Sequence, residues 1–125
     1  MRAAVCRSYG APEVVVVDEF PAPDCGAGQV RVQVHAAAVN FPDVLVIADE
    51  YQMTAPLPFV PGSEFAGVVA EVAQDVQAVA VGDRVFGSVF VGAFADEVVV
   101  GAANVTRIPT GVVRDRGTAT PYRSR

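Results

Sequence analysis

The stretch from residue 61 to residue 69 constrains the fold of this chain more than any other. It opens with a Pro-Gly pair, which marks a tight turn because proline fixes φ and glycine admits conformations that other residues avoid. An apolar run over residues 65–73 follows and predicts a strand that is buried on both faces near residues 68–69. The stretch therefore predicts a turn that leads directly into a core strand, with Ser63 and a single acid, Glu64, between them.

Length and composition favour one compact domain. The 125 residues suffice to bury a core without disulfides or a metal ion. An apolar content of 52%, together with 11 glycines and 9 prolines, is typical of a fold with many short strands and tight turns. A charged content of only 18% argues against disorder for most of the chain.

The charge argues against nucleic acid as a partner. The formal net charge is −5 and the chain contains no lysine, whereas nucleic-acid phosphates require a patch of basic side chains. We expect no signal peptide, because the first apolar residues give way to polar ones within one turn. We also expect no membrane partner, since the longest apolar runs are far shorter than the ~18 residues of a membrane span. A cytoplasmic protein is the resulting expectation.

The two cysteines, Cys6 and Cys25, have neither a Cys-x-x-Cys spacing nor further thiols around them. Two free, partly buried thiols in a reducing compartment are the interpretation that we favour. A disulfide between them is the alternative.

Apolar runs and turn signatures predict a mainly β chain with six to eight strands and one or two short helices. Residues 3–6 and 14–17 flank a Tyr-Gly-Ala-Pro turn signature, which predicts an antiparallel pair. Residues 29–35 alternate between valine and polar side chains, which predicts a half-buried strand. Residues 84–91 and 93–100 predict a further strand pair about a central glycine. A last short extended piece is expected before Pro109.

A short helix is predicted from Asn40 onwards. Asparagine is a preferred N-cap, proline is tolerated in the first turn, and Asp43 meets the positive end of the helix dipole. Residues 44–48 supply the apolar body of this helix. Three prolines then keep a loop over residues 49–61 extended, and this loop carries Tyr51.

The character of the chain changes at residue 113. Residues 113–125 contain four arginines and almost no apolar periodicity, so we expect them to pack poorly. The folded domain is expected to span residues 1–112.

The order of these elements resembles the N-terminal, GroES-like catalytic domain of the medium-chain dehydrogenase/reductase superfamily, over about residues 1–112. Three motifs carry the resemblance: Asn-Phe-Pro-Asp at residues 40–43, Pro-Phe-Val-Pro-Gly-Ser-Glu-Phe-Ala-Gly at residues 58–67, and Val-Gly-Asp-Arg-Val at residues 81–85. Within the superfamily, the chain looks like the zinc-free quinone oxidoreductase branch. The resemblance implies a GroES-like β-barrel with short helices.

Two positions distinguish this branch from the zinc-dependent members of the superfamily. Those members have Gly-His-Glu at the turn where this chain has Ser63, and a cysteine ligand where it has Asn40. Zinc prefers thiolate, imidazole or carboxylate ligands in a tetrahedral set, so both changes remove it. The lone His35 lies on the polar face of its strand and cannot rebuild a site. No metal site is therefore expected, and the four-cysteine structural zinc lobe of the superfamily is missing as well.

Without a metal, the resemblance implies NADPH as the hydride donor and a quinone or an enone as the acceptor. Hydrogen-bond donors then hold the oxygen on which charge develops. By resemblance, the expected catalytic residues are Asn40 and Tyr51. The expected cofactor-binding residues are Asn40, Phe41, Asp43 and Ser63. An amide can orient a carboxamide or a carbonyl, and a phenol can donate a hydrogen bond to an oxygen that acquires charge.

Each of these polar residues also has a structural interpretation. Asn40 can cap the helix, a role that can coexist with a role in the cleft. Tyr51 can be a loop aromatic that covers the barrel mouth, and Asp43 can stabilise the helix start. Ser63 can hydrogen-bond within its own turn. Glu64 is expected to bond to nearby backbone or to an arginine, with proton transfer as the alternative.

The chain departs from the family pattern at three places. Asp49 occupies a position two residues before the loop tyrosine that is usually glycine, which predicts a shifted Tyr51. Leu45 replaces an aromatic residue of some members, so quinone stacking from that position is lost. No Gly-x-Gly-x-x-Gly phosphate loop is present, and too few residues follow Pro109 for even one βαβ unit.

This last departure leads to two main hypotheses. The first is an oxidoreductase catalytic domain without its Rossmann domain, which alone binds NADPH weakly or not at all and can form homo-oligomers through exposed surfaces. The second is a non-enzymatic GroES-like fragment or interaction module. A true co-chaperonin is a third and weaker idea.

Overall fold

The computed structural model describes residues 1–109, which fold into seven β-strands, one α-helix and two short 3₁₀ helices. The strands are β1 (Arg2–Cys6), β2 (Val15–Glu19), β3 (Gln29–Ala38), β4 (Glu64–Val72), β5 (Arg84–Ser88), β6 (Glu97–Gly101) and β7 (Val105–Arg107). The α-helix, α1, spans Phe41–Ala48, and the 3₁₀ helices span Pro12–Val14 and Ala102–Asn104. The predicted mainly β class with short helices is confirmed. The tail predicted at residues 113–125 lies outside the described residues.

The strands form two antiparallel sheets. Five of them pair in the order β6-β3-β4-β5-β7, and β1 pairs with β2 as predicted. Single bridges, Ala3 to Ala95 and Cys6 to Phe59, join β1 to segments outside the named strands. Within residues 1–109 the expected closed barrel is not formed, because β1 and β2 make a separate sheet and only isolated bridges extend the pairing of β1 beyond β2.

One predicted strand pair is wrong. Residues 84–91 and 93–100 do not form a hairpin, since β5 pairs with β4 and β7 whereas β6 pairs with β3. The backbone between them is hydrogen-bonded elsewhere: Val89 N donates to the Ser63 carbonyl at 2.8 Å, and Phe94 N donates to the Pro61 carbonyl at 3.0 Å. These donors serve the turn at residues 61–63 and are not available for a hairpin.

The main core lies against one face of the five-stranded sheet. Val30 and Val32 of β3 and Phe65 and Val69 of β4 are buried in it, in the alternation that a half-buried strand requires. The expectation that β4 is buried on both faces is wrong, because Val68 is only half-buried. The sheet therefore keeps a second, more exposed face.

A second apolar cluster holds α1 in place. Val46 and Ile47 of the helix pack with Cys6 and Phe59, and Gly10 N donates a hydrogen bond to the Ile47 carbonyl at 3.0 Å. Burial of these side chains anchors the second half of the helix. None of the helices among residues 1–109 has the length and apolar character needed to span a membrane.

The close approach of β3 and β4 at Gly67 gives a first test of the fold. A Cβ atom at this position would overlap the carbonyl oxygen of Gln33, so we expect Gly67→Ala to lower the free energy of unfolding by about 1–3 kcal/mol or more. Urea denaturation followed by circular dichroism measures the change. Gly101→Ala is the matched control, since the nearest atom to its added Cβ lies 3.6 Å away, and its effect should stay within about 0.5 kcal/mol. Equal effects of the two variants would contradict the close packing of β3 against β4 at Gly67.

The two thiols give a second test. Both are free, with Cys6 buried and Cys25 partly exposed, and burial raises the pKa of each thiol. We expect an aromatic disulfide reagent to modify Cys25 first and Cys6 only on unfolding, because the reagent needs an accessible thiolate. Cys25→Ser should remove the faster phase. Loss of the slower phase instead would show that the assignment is reversed.

Candidate active site

Three strands meet at one end of the five-stranded sheet. Ala38, the last residue of β3, lies opposite Glu64, the first residue of β4. Glu64 in turn lies opposite Ser88, the last residue of β5. Antiparallel register therefore gathers three segments that are distant in sequence: the start of α1, the turn at residues 61–63, and the segment after β5.

The Pro-Gly-Ser turn is rigid. Gly62 has a φ of 105°, and a Cβ there would lie 2.5 Å from the Phe94 ring. Only glycine satisfies both conditions without strain. The Gly62 carbonyl accepts a hydrogen bond from Ala93 N at 3.1 Å, and the Ser63 carbonyl accepts one from Val89 N at 2.8 Å. Ser63 is thus held in place by its backbone, as the predicted turn requires.

Asn40 caps α1, as its residue type predicts. Asn40 and Asp43 form a capping box, in which Asn40 N–H donates to Asp43 Oδ2 at 2.8 Å. Asp43 is only 4% exposed and is the one buried charged residue among residues 1–109. The helix N-terminus and this hydrogen bond offset part of the cost of burying its carboxylate.

The side chain of Asn40 reaches across to the sheet. Its Nδ2 donates to Glu64 Oε1 at 2.9 Å. The partner expected for Glu64 was backbone or arginine, so the actual partner differs from the prediction. Sequence reasoning missed it because the contact depends on the register that places the end of β3 beside the start of β4.

A cleft of about 240 Å³ opens beside these residues. It is lined by Pro42, Asp43, Val46, Tyr51, Met53, Ser63, Val89 and Phe90. The structure therefore brings together three of the five predicted site residues. Asn40 lies next to the cleft through its bond to Asp43 without lining it, and Phe41 is 73% exposed and does not line it either.

Tyr51 forms an aromatic wall of the cleft. Its ring stacks on Phe90 with centroids 6.5 Å apart and an interplanar angle of 23°, and it packs against the cluster that anchors α1. Its hydroxyl makes no hydrogen bond within the part of the chain that the structure describes. The ring of Tyr51 thus covers apolar surface, as its interpretation as a loop aromatic predicts. Its hydroxyl keeps a donor for a ligand, as a role in the cleft requires.

Phe90 is the cleft residue that sequence reasoning missed most clearly. It lies in a run that resembles a strand, but the chain leaves β5 at Ser88. The signal available in the sequence is Gly92, whose φ of 121° marks an irregular segment. Phe90 supplies an aromatic surface in the cleft, where Leu45 supplies none.

Asp49 replaces glycine without disturbing the end of the helix. It adopts the left-handed conformation, with φ 60° and ψ 40°, and its Oδ1 accepts a hydrogen bond from Thr54 Oγ1 at 3.0 Å. Aspartate tolerates this conformation better than most residues. Since the backbone takes the conformation expected of glycine, the substitution by itself does not require a displaced Tyr51.

No group of three or more histidine, cysteine, aspartate or glutamate side chains within residues 1–109 is arranged to hold a metal ion. His35 is exposed on β3. Asn40 and Ser63, which align with the metal ligands of the zinc-dependent members, carry an amide and a hydroxyl.

Comparison with known proteins identifies the class of this fold. Residues 26–110 match the alcohol dehydrogenase GroES-like domain family. The chain belongs to this family, and its curated relatives include quinone oxidoreductase-like proteins. The resemblance seen in the sequence is confirmed.

Two curated relatives are similar along most of this chain. The chain is 40% identical over 112 residues to the quinone oxidoreductase-like protein 2 homolog of Nematostella vectensis, covering 89% of the chain and 30% of the relative. It is 40% identical over 111 residues to quinone oxidoreductase-like protein 2 of Rattus norvegicus, covering 89% and 31%. The chain therefore spans less than a third of the length of either relative.

Solved structures agree with this assignment. A probable oxidoreductase from Mycobacterium abscessus superposes with a TM-score of 0.83 and 38% identity, over 90% of this chain and 36% of that one. Escherichia coli quinone oxidoreductase in complex with NADPH superposes with a TM-score of 0.85 and 25% identity, over 94% and 36%.

The backbone of Asp49 offers a test of how the cleft loop is held. Asp49→Ala loses the Thr54 hydrogen bond and keeps a Cβ in the left-handed conformation, so we expect it to lower the free energy of unfolding by about 1–2 kcal/mol. Asp49→Gly loses the same hydrogen bond but removes the steric strain of a Cβ in the left-handed conformation. It should therefore be about 1 kcal/mol more stable than the alanine variant. Chemical denaturation of both variants measures the difference. Identical stabilities would show that residue 49 does not adopt the left-handed conformation.

Proposed function

We propose that this chain forms one side of the active site of an NADPH-dependent, zinc-independent oxidoreductase that transfers hydride to a quinone or an activated alkene. The observation that carries the proposal is the cleft in which Asp43, Tyr51 and Ser63 converge. The similarity of the chain to quinone oxidoreductase-like proteins supports it.

The cleft fits one ring of the cofactor. Its volume of about 240 Å³ is below the ~300–1,000 Å³ of sites that enclose a whole ligand, so it suits a nicotinamide ring and not a dinucleotide. A carboxamide carries an N–H donor and a carbonyl acceptor. The carboxylate of Asp43 complements the donor, and the hydroxyl of Ser63 complements the acceptor. The hydroxyl of Tyr51 can also bind the carboxamide as long as no substrate oxygen is present.

NADPH supplies the hydride when it is bound. The chain itself provides orientation and charge stabilisation. Tyr51 donates a hydrogen bond to the substrate oxygen on which negative charge develops, and Phe90 supplies apolar aromatic surface to the cleft. Asn40 and Phe41 complete the proposed site from the edge of the cleft, at the start of α1.

Zinc independence rests on the chemistry of two side chains. An amide at Asn40 and a hydroxyl at Ser63 are poor substitutes for the thiolate and imidazole that zinc prefers. Hydrogen-bond donation from a side chain then takes the place of a Lewis acid at the substrate oxygen.

Binding of the nicotinamide ring is testable on the chain as it stands. Reduced nicotinamide mononucleotide, titrated into the ¹⁵N-labelled chain, should shift the amide resonances of Asp43, Tyr51, Ser63 and Phe90 in a saturable way. The analogue with a carboxylate in place of the carboxamide should bind more weakly, because it places a second negative charge near Asp43. Absence of saturable shifts, or shifts confined to other regions, would favour the non-enzymatic interaction module.

The hydroxyl of Tyr51 is tested by Tyr51→Phe. We expect the dissociation constant of reduced nicotinamide mononucleotide to rise about three- to tenfold on loss of one hydrogen bond. Tyr9→Phe is the matched control, since the Tyr9 hydroxyl donates to the Ala55 carbonyl at 2.7 Å outside the cleft. It should lower stability and leave this dissociation constant unchanged.

Turnover requires the rest of the active site. With the nucleotide-binding part of a relative supplied by fusion, NADPH oxidation by 1,4-benzoquinone should be measurable, and Tyr51→Phe should lower kcat by about 10²-fold. Turnover at the wild-type rate in this variant would exclude Tyr51 as the donor.

A further inference from the structure

Glu64 is an exposed acid that does not line the cleft, yet it connects two of its polar walls. Its Oε1 accepts a hydrogen bond from Asn40 Nδ2 at 2.9 Å, and Asn40 N–H donates to Asp43 Oδ2 at 2.8 Å. Ser63 is the residue immediately before Glu64. Two hydrogen bonds thus join the cleft carboxylate on α1 to Glu64, the residue that follows the cleft serine in the chain.

The link matters because it joins the start of α1 directly to the sheet, in addition to the burial of Asp43. The capping box between Asn40 and Asp43 is local to the helix start and moves with it. Val39 connects the helix to β3, but it is 77% exposed and contributes little packing. Within residues 1–109, the bond from Asn40 to Glu64 is the hydrogen bond that joins residues 40–43 to the sheet.

The same bond sets the orientation of the Asn40 amide. An ionised carboxylate can only accept hydrogen bonds, so the NH₂ end of Asn40 faces Glu64 and its carbonyl oxygen faces away. Asn40 therefore gives one of its two amide hydrogens to Glu64 and keeps the second for another acceptor.

We propose that Glu64 is a positioning residue, which holds Asp43 and Ser63 at the separation that the cleft requires by binding the amide of Asn40. The role assigned to the cleft rests on the proposed function. The link itself is a property of the free chain and can be measured without any ligand.

Two variants separate the hydrogen bond from the charge. Glu64→Ala removes the acceptor, whereas Glu64→Gln retains a carbonyl oxygen that can accept from Asn40 Nδ2. Glu13→Ala is the control, since Glu13 is an exposed acid on the first 3₁₀ helix and has no hydrogen-bond partner within the described residues. All three substitutions lie at exposed positions, where effects on folding are small.

The first measurement is the ¹⁵N spectrum of the free chain. In Glu64→Ala, we expect the side-chain NH₂ resonances of Asn40 to move, together with the backbone amides of Asp43 and Ser63. Glu64→Gln should restore all of these to near their wild-type positions, and Glu13→Ala should leave them unchanged. Unmoved amides at Asp43 and Ser63 in Glu64→Ala, or a glutamine variant that behaves like the alanine variant, would overturn the proposal.

The second measurement is the affinity for reduced nicotinamide mononucleotide. Its dissociation constant should rise about three- to tenfold in Glu64→Ala and stay within about twofold in Glu64→Gln. A rise of equal size in both variants would overturn the proposal in favour of a charge effect. If the wild-type chain does not bind this probe while the free-chain spectra follow the expected pattern, the proposed function fails and the positioning role of Glu64 stands.

Discussion

The cleft depends on the close approach of β3 and β4 at Gly67. The absence of a side chain there lets the backbone of β3 pass at contact distance, where the register shifts between Val34 and Ala36. This irregularity sets the residues that face each other at the end of the sheet. A slip of one residue would move every side chain of β4 to the opposite face, and Glu64 would lose its place beside the start of α1. The geometry of the site is thus determined by a backbone contact that lies outside it.

The start of α1 beside the sheet contains a buried carboxylate, that of Asp43. Asp43 lies in the first turn of α1, where peptide dipoles and the hydrogen bond from Asn40 N–H stabilise its side chain. Burial without such partners would be costly. The second half of the helix is held independently by Val46 and Ile47 in their apolar cluster. The helix is therefore fixed by packing at one end and by hydrogen bonds at the other, and the polar end borders the cleft.

Features that depend on neighbouring residues were predictable from the sequence. The alternation of β3, the pairing of β1 with β2 and the cap at Asn40 all follow from local periodicity or from the preference of one residue type. The proposed ligand residues Asp43, Tyr51 and Ser63 came from the family resemblance, and they do line one cleft.

Features that depend on distant segments were not predictable. The run around Phe90 has the composition of a strand, but its neighbour Val89 donates to Ser63, which lies far away in sequence. The wrong prediction of a strand pair about Gly92 has the same cause. No local signal shows that a turn at residues 61–63 competes for those backbone donors. Similarly, the partner of Glu64 depends on sheet register, which an isolated motif does not encode.

The hydrogen-bond donors that line the cleft limit the chemistry that the cleft can perform. Asn40 does not line the cleft and gives one of its two amide hydrogens to Glu64. Among the side chains that line the cleft, the hydroxyls of Tyr51 and Ser63 are the donors for a ligand oxygen. Ser63 is fixed by the backbone of its turn, whereas Tyr51 lies on a loop held at its start by the hydrogen bond between Thr54 and Asp49. A rigid donor suits recognition of an unchanging carboxamide, and a donor on a loop can follow an oxygen whose charge and position change during reduction. The two hydroxyls are therefore suited to different tasks, cofactor orientation for Ser63 and stabilisation of the substrate oxygen for Tyr51.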